Sequence, residues 1–142
     1  MAEMVIRPFE SFGPVALDAT EDEILRNLGP PDVDFPPTAT RGRMFDYRQL
    51  GLHVVFDDSG RCEVVESTLR HTPVLNDLLL VGRLTDLIRA LEERGFEIRQ
   101  GLKPGQSFNN DCEALGISLW REDEDQEEID SVTAWRRGYL DK

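Results

Sequence analysis

The sequence contains few of the residues on which catalytic and metal sites are built. Its 142 residues include two histidines and two cysteines. His53 and His71 have no serine, cysteine or acid at a spacing that indicates a catalytic triad or a metal site. The sequence also lacks a P-loop, a GxGxxG turn and an HExxH motif. We therefore expect a protein that is not an enzyme, with no catalytic residues, no cofactor and no metal.

Basic residues are scarce relative to acids. The chain has 16 Lys and Arg against 28 Asp and Glu, which gives a formal net charge of −12. A surface of this sign repels phosphate backbones and anionic membranes. Nucleic acid and membrane are therefore not expected as partners, and a basic protein is the electrostatic complement.

Long apolar runs are absent as well. Residues 1–10 carry two acids and no run of seven apolar residues, so the sequence predicts no signal peptide and a location in the cytoplasm. Cys62 and Cys112 lie 50 residues apart without a CxxC or Cys/His spacing. In this compartment we expect both thiols to be reduced and partly buried, and a disulfide between equivalent strands is the less favoured alternative.

One pattern occurs twice in the chain. Residues 47–56 and 112–121 each predict a strand, a Leu-Gly step and a second strand, and Leu50 and Leu115 are 65 positions apart. Each copy follows a helical segment. The order predicts an α+β fold of antiparallel β-meanders with short helices packed on one face. We expect a single compact domain over 1–142, built from similar halves at 1–69 and 70–142, with chance resemblance of the halves as the alternative.

Two helices and one tight turn have clear local signals. Thr20 and Glu23 form a capping-box pattern at the start of a helix in which Ile24, Leu25 and Leu28 are expected to form one apolar face. A second helix is predicted by the i, i+3, i+4, i+7 spacing of Leu84, Leu87, Ile88 and Leu91, and Gly95 ends it. Residues 57–60 (Asp-Asp-Ser-Gly) predict a hairpin turn.

Strand alternation predicts which side chains face outward. In the strand 52–56, Leu52, Val54 and Phe56 alternate with His53 and Val55, and in the strand 117–120 Trp120 lies opposite Ile117 and Leu119. An antiparallel sheet with helices on one side leaves its other face open. We therefore predict a partner-binding patch, since aromatic residues dominate binding hot spots; its members are Trp120, Trp135, His53 and Val55. The alternative is that a tryptophan completes a second small core under the C-terminal tail.

An acidic run follows Trp120. Residues 122–130 hold seven of the 28 acids, and the run lacks the glycine and the Asp spacing of a calcium loop. One interpretation is a solvated hairpin tip. The other is an anionic surface that steers a basic partner; the predicted partner-binding acids are Glu122, Asp123, Glu124 and Asp125.

Several stretches resemble a loosely defined bacterial family of small cytoplasmic proteins that includes immunity proteins for secreted polymorphic toxins. The resemblance is carried by residues 12–17, 27–31, 50–56, 115–121 and 138–140. The helix-then-meander unit is also similar to small outer-membrane assembly lipoproteins and, as a tandem, to β-lactamase inhibitory protein. The resemblance implies no catalytic residues, and the missing lipoprotein signal means that an envelope role does not transfer.

The preferred hypothesis is an immunity-type inhibitor that neutralises a basic toxin or enzyme through the open sheet face. Two alternatives stay open. One is a small-molecule-binding or hydrolytic domain with its site between the halves, and the other is a structural subunit that self-associates through the sheet face.

Overall fold

The computed structural model describes residues 3–100, 109–123 and 125–141. These residues form two sheets, two helices and a 3-10 turn. The first part of the chain contains β1 (Glu3–Arg7), β2 (Ser11–Phe12), β3 (Val15–Ala16), α1 (Glu21–Leu28), β4 (Val33–Phe35), β5 (Met44–Tyr47), β6 (Leu52–Phe56) and β7 (Cys62–Ser67). The second part contains β8 (Thr72–Leu75), β9 (Leu78–Leu79), α2 (Leu84–Glu93), β10 (Arg99–Gln100), β11 (Asn109–Cys112), β12 (Ile117–Trp120), β13 (Ser131–Trp135) and the 3-10 turn Tyr139–Asp141.

The strands are divided between a large and a small sheet. The large sheet has eight strands in the order β10-β11-β12-β13-β7-β6-β5-β4, and all its neighbours are antiparallel. The small sheet has the order β3-β2-β1-β8-β9. Its central pair, β1 and β8, is parallel, which a chain of simple meanders does not predict. The α+β class with largely antiparallel sheets is confirmed, and the parallel pair is possible because a long crossover separates the two strands.

Both parts of the chain contribute to one continuous large sheet. Strands β4 to β7 occupy one side and β10 to β13 the other, and β7 pairs with β13 where they meet. The antiparallel pairing therefore continues from one part of the chain to the other through the β7–β13 pair, which we call the seam.

Helix α1 begins as the sequence predicts. The Glu23 amide donates to Thr20 Oγ1 at 3.2 Å, and the Thr20 amide donates to Glu23 Oε1 at 3.2 Å. This reciprocal pair is a capping box. Only Ile24 is buried, and Leu25 is 37% exposed. The expectation that Leu25 shares one face with Ile24 and Leu28 is wrong, because Ile24 and the partly buried Leu28 pack against the core and Leu25 lies beside them in solvent.

Helix α2 begins without a side-chain cap. The Leu84 amide donates instead to the carbonyl of Glu127, 2.8 Å away in the acidic loop. At the other end Gly95 has φ +89°, and the amides of Gly95 and Phe96 donate to Glu92 and Leu91. This is a Schellman termination at the predicted glycine. The helix buries Leu84, Leu87 and Leu91, which confirms the predicted apolar face.

The two Leu-Gly steps have the same local geometry. Residues 48–51 connect β5 to β6, and residues 113–116 connect β11 to β12. In each turn the amide of the glycine donates to the carbonyl three residues earlier. Gly51 has φ +65° and Gly116 has φ +64°, a region that disfavours side chains. The step is therefore a four-residue hairpin turn that needs glycine at its last position.

One hydrophobic cluster combines inward side chains of the large sheet with residues of both helices and the small sheet. Leu52, Val54 and Phe56 belong to this core, as alternation predicts. Cys62 and Cys112 are free and buried, and burial raises the pKa of the Cys62 thiol to about 12. Within the described part of the chain no helix has both the length and the apolar character that crossing a bilayer requires.

Candidate functional site: a groove on the open sheet face

The face of the large sheet opposite the core carries a groove of about 750 Å³. Its floor consists of outward side chains from β5, β6, β7, β11, β12 and β13. Residues 37–42 line it before β5, and Tyr139 and Leu140 line it after β13. We call this feature the outer-face groove. It contains residues from both sides of the β7–β13 seam, and its size is typical of ligand-binding clefts.

A row of polar side chains crosses the floor. Cross-strand pairing aligns one residue from each of five strands, since neighbouring residues on one face of a sheet stand side by side. We call these residues the polar row; they are His53, Glu66, Thr133, Ser118 and Asp111. All five line the groove.

A second row on the same face is apolar. Met44 pairs with Val55, Val55 with Val64, and Val64 with Trp135. On the other side of the polar row, Trp120 is partly exposed and lies two residues beyond Ser118 on β12. The polar row is therefore flanked by apolar surface on both sides, a combination that favours a ligand with an aliphatic part and a polar end.

His53 is held between two acids of neighbouring strands. Its Nδ1 is 3.0 Å from Glu66 Oε1, and its Nε2 is 3.5 Å from Asp46 Oδ1. The hydrogen bond to Glu66 raises the pKa of His53 above its ordinary value; burial opposes this, and the charges of Glu66 and Asp46 add to it. The Glu66 side chain remains 40% exposed to solvent despite this contact.

Ser118 lies at the bottom of the groove. It is 1% exposed, and its hydroxyl has no hydrogen-bond partner among the described residues. A buried hydroxyl without a partner is unfavourable and is uncommon in folded proteins. This side chain is therefore a second sign, beside the charges, that the floor is built for a polar ligand.

Negative charge dominates the described lining. Five acids line the groove, against Arg41 as its one arginine or lysine; the acids are Asp57, Asp58, Glu63, Glu66 and Asp111. The guanidinium carbon of Arg41 lies 5.8 Å from the centre of the Phe35 ring, and its Nη1 is 3.7 Å from Met44 Sδ. The groove thus has a net negative field that attracts a cation.

Asp57 fixes one end of the groove. Its carboxylate accepts hydrogen bonds from the amides of Ser59 and Arg61. It also forms an ion pair with Arg136 at 2.6 Å. Burial acts to raise the pKa of Asp57, but the bonds from Arg61, Ser59 and Arg136 outweigh it and hold the pKa well below its usual range. Arg136 also contacts Asp18 at 3.1 Å. The end of β13 is thereby joined to the predicted 57–60 turn.

The structure brings together four of the residues predicted for the patch. Trp120, Trp135, His53 and Val55 all line the outer-face groove. Trp135, however, is 3% exposed, and its ring centre is 5.8 Å from that of Tyr139. The expectation of an accessible Trp135 is wrong, because the C-terminal 3-10 turn covers it. Trp135 forms part of the floor, and Trp120 is the more exposed of the two tryptophans.

The predicted acids lie elsewhere. Glu122, Asp123 and Asp125 are exposed and do not line the groove, and Glu124 lies outside the described residues. The loop contacts the start of α2: the Ile129 amide donates to Gly82 at 3.0 Å, and Arg83 pairs with Glu127 at 3.5 Å. Acids near a helix N-terminus are favourable, which accounts for the placement. The expectation that this run rims the patch is corrected.

Sequence reasoning did not identify Glu66, Asp111, Thr133 and Ser118. The alternation that turns Trp120 outward also turns Ser118 outward, so that signal was present. What alternation does not give is the register between strands of the two parts, which brings Ser118 next to Thr133 and Thr133 next to Glu66. His71, the second histidine, contacts the Gln49 carbonyl at 2.8 Å and is not part of the groove.

Comparisons with known proteins show the fold alone. No model of a protein family matches this sequence, and no curated protein has a sequence significantly similar to it. A crystal structure of an extracellular protein containing a SCP domain, from Bacillus anthracis str. Ames, is similar with a TM-score of 0.52 at 12% identity. The similarity covers 87% of this chain and 45% of that one, so the chain corresponds to less than half of its length.

Proposed function

We propose that this chain is a non-enzymatic binding protein whose outer-face groove takes up part of a basic protein. The observation that carries the proposal is the polar row, which lies between apolar surfaces in a groove whose described lining has five acids and one arginine. The net charge of −12 adds a long-range attraction for the same class of partner. Such a surface combines an aromatic anchor with charges that select the partner.

The specific form that we propose is an immunity-type inhibitor that occludes a basic toxin or enzyme. It rests on the sequence resemblance and on the charge of the groove. A location in the cytoplasm belongs to the same proposal, and the two free, buried cysteines are consistent with a reducing compartment.

A duplicated unit is part of the proposal. The matching turns at residues 48–51 and 113–116 support it, as does a large sheet in which each half contributes four strands on its own side of the seam. If the halves are copies, the groove formed where two equivalent sheets joined.

A second candidate is a small-molecule-binding or hydrolytic domain. The observation that favours it is the position of the groove across the seam, with a volume in the range of small-ligand pockets. Thermal-shift measurements with a library of cationic and aromatic metabolites separate the two candidates. A small ligand raises the melting temperature without a protein partner.

The test of the main proposal compares three immobilised proteins in pull-downs from the native host. They are the wild type, a groove variant with Glu66→Gln and Trp120→Leu, and a control, Glu93→Gln, on the exposed side of α2. We expect the wild type and the control to retain the same basic protein, encoded next to this gene, and the groove variant to lose it. Co-expression should then relieve the toxicity of that protein. Equal retention by the groove variant, or no stable basic partner, contradicts the proposal.

A further inference from the structure

We infer that the segment of the outer-face groove between Glu66 and Trp120 is a binding site for one arginine side chain of the partner protein. The inference rests on the proposed function and makes it more specific, because it names the chemical group that the groove recognises. Its components are the Glu66 carboxylate, the Thr133 and Ser118 hydroxyls and the Trp120 ring.

The spacing of these groups suits a planar cation. Glu66, Thr133 and Ser118 stand on three adjacent strands in matched register. Since strands are about 4.8 Å apart, the outer two side chains begin about 10 Å apart with Thr133 between them. A guanidinium that enters this interval can donate to the carboxylate on one side and to hydroxyls below it.

The groups in this interval have acceptor capacity to spare. Glu66 uses Oε1 for His53 and remains 40% exposed. The Ser118 hydroxyl has no partner among the described residues although it is buried. An arriving N–H group supplies the hydrogen bond that Ser118 lacks, which removes an unfavourable feature of the unbound protein.

Arginine fits better than lysine for three reasons. Its five donors point in several directions within one plane, its charge is less strongly hydrated, and its flat face stacks on tryptophan. Trp120 lies next to Ser118 on the outward face of β12 and is partly exposed, so its ring can cover the guanidinium or the aliphatic stem. Elsewhere in the protein, the Arg41 guanidinium already lies 5.8 Å from the centre of the Phe35 ring.

The test uses blocked tripeptides and isotope-labelled full-length protein. Acetyl-Gly-Arg-Gly-amide, its citrulline and lysine analogues, and methylguanidinium are titrated while NMR follows the Trp120 indole and the amides of β7, β12 and β13. We expect the arginine peptide to bind about tenfold more tightly than the citrulline peptide, which has the same shape without the charge. We also expect it to bind more tightly than the lysine peptide and methylguanidinium.

Three variants locate the site. Glu66→Gln and Ser118→Ala should each weaken arginine-peptide binding by about fivefold, and Glu93→Gln should leave it unchanged. Ser118→Ala should melt no lower than the wild type, because it removes an unpartnered buried hydroxyl. A purely structural role for Ser118 predicts the opposite: a lower melting temperature with unchanged binding.

Each contrary result overturns the inference. These are equal binding of the citrulline peptide, equal or tighter binding of lysine or methylguanidinium, shifts outside the groove, or no binding at millimolar concentrations. The failures of the two proposals are distinct. If the pull-down yields a basic protein that needs the groove, but the citrulline peptide binds as tightly as the arginine peptide, the proposed function is kept and the arginine site is refuted. If the arginine peptide binds as expected but the pull-down yields no protein partner, the arginine site is kept and the proposed function is refuted.

Discussion

At the scale of single residues, Asp57 holds one end of the groove in place. One carboxylate accepts bonds from the turn at 57–60 and from Arg136 beyond β13, so it connects two strand ends that are distant in sequence. Hydrogen bonds to charged groups contribute more than neutral ones, and their loss leaves Arg136, which is largely buried, without this partner.

Asp57→Ala should therefore lower the free energy of unfolding at neutral pH by about 2–4 kcal/mol. Asp58→Ala is the matched control, because Asp58 is the exposed neighbour in the same turn and should cost less than about 0.5 kcal/mol. Urea unfolding followed by tryptophan fluorescence measures both. The low pKa of Asp57 means that this stabilisation is present above its unfolded pKa and is lost as the pH falls through the folded value. Equal costs for the two variants would show that the network is not stabilising.

His53 provides the opposite pH dependence. Its pKa is raised above 6.5 in the folded protein, mainly by the bond to Glu66. The stabilisation is thus fully present below about pH 6.5 and disappears as the pH rises through the folded pKa. His53→Gln should cost more at about pH 5.5 than at about pH 8.5, by less than about 1 kcal/mol because the pair is partly exposed.

Chemical denaturation at both pH values measures this difference. Repeating it in a background with Asp46→Asn and Glu66→Gln should remove the pH dependence, since the carboxylates that favour the imidazolium are gone. A pH dependence that survives in this background would assign the effect to other groups, including Arg41, whose charge acts on His53 in the opposite sense.

At the scale of elements, the two Leu-Gly turns set the strand pairs that build the groove floor. Both glycines have positive φ, and both are closely packed. A Cβ on Gly116 would lie 3.1 Å from the Trp135 carbonyl and 2.7 Å from the Phe9 ring, and one on Gly51 would lie 2.6 Å from Arg70 Cβ. Each turn thus excludes side chains for two reasons, backbone conformation and lack of space.

Gly116→Ala should lower the free energy of unfolding by about 2–4 kcal/mol, through both effects. Gly95→Ala isolates the first effect, because Gly95 has φ +89° with no atom near the added Cβ, and it should cost about 1 kcal/mol. Thermal unfolding of the two variants gives the comparison. If both variants lose the same free energy of unfolding, the residues around Gly116 can move to accommodate the added Cβ without an energetic cost.

Local elements were predictable from the sequence because their signals are local. The capping box at Thr20, the Schellman end at Gly95 and the alternation in β6 depend on residues within a few positions. The parallel pairing of β1 with β8 and the seam between β7 and β13 depend on contacts far apart in sequence. For the site, alternation identified Trp120, His53 and Val55, whereas the cover over Trp135 and the turn of the acidic loop towards α2 were set by tertiary packing.

At the scale of the whole molecule, charge is spread unevenly between the groove and the acidic loop. Glu122, Asp123 and Asp125 are exposed and do not line the groove, so we expect them to act on the proposed partner through their electric field and not through contact. Charges of this kind change association rates more than dissociation rates. Their influence also falls with ionic strength, since exposed charges are screened over about 10 Å at 0.1 M salt.

A variant with Glu122→Gln, Asp123→Asn and Asp125→Asn changes the formal net charge from −12 to −9 (−12 + 3). It should slow association with the basic partner about two- to fivefold at low salt and leave the dissociation rate unchanged. Surface plasmon resonance at several salt concentrations measures both rates. An altered dissociation rate would place these acids in the interface itself.

The seam between β7 and β13 also determines when the protein can fold. The two strands are separated by residues 68–130, so one edge of β7 stays unpaired during synthesis until residues 131–135 have left the ribosome. A sheet closed by such distant residues folds slowly, and an open edge is a template for wrong strand pairing. The nascent chain must therefore carry an exposed β7 edge while residues 68–135 are synthesised, and slower translation of this stretch lengthens the time in which the chain can aggregate.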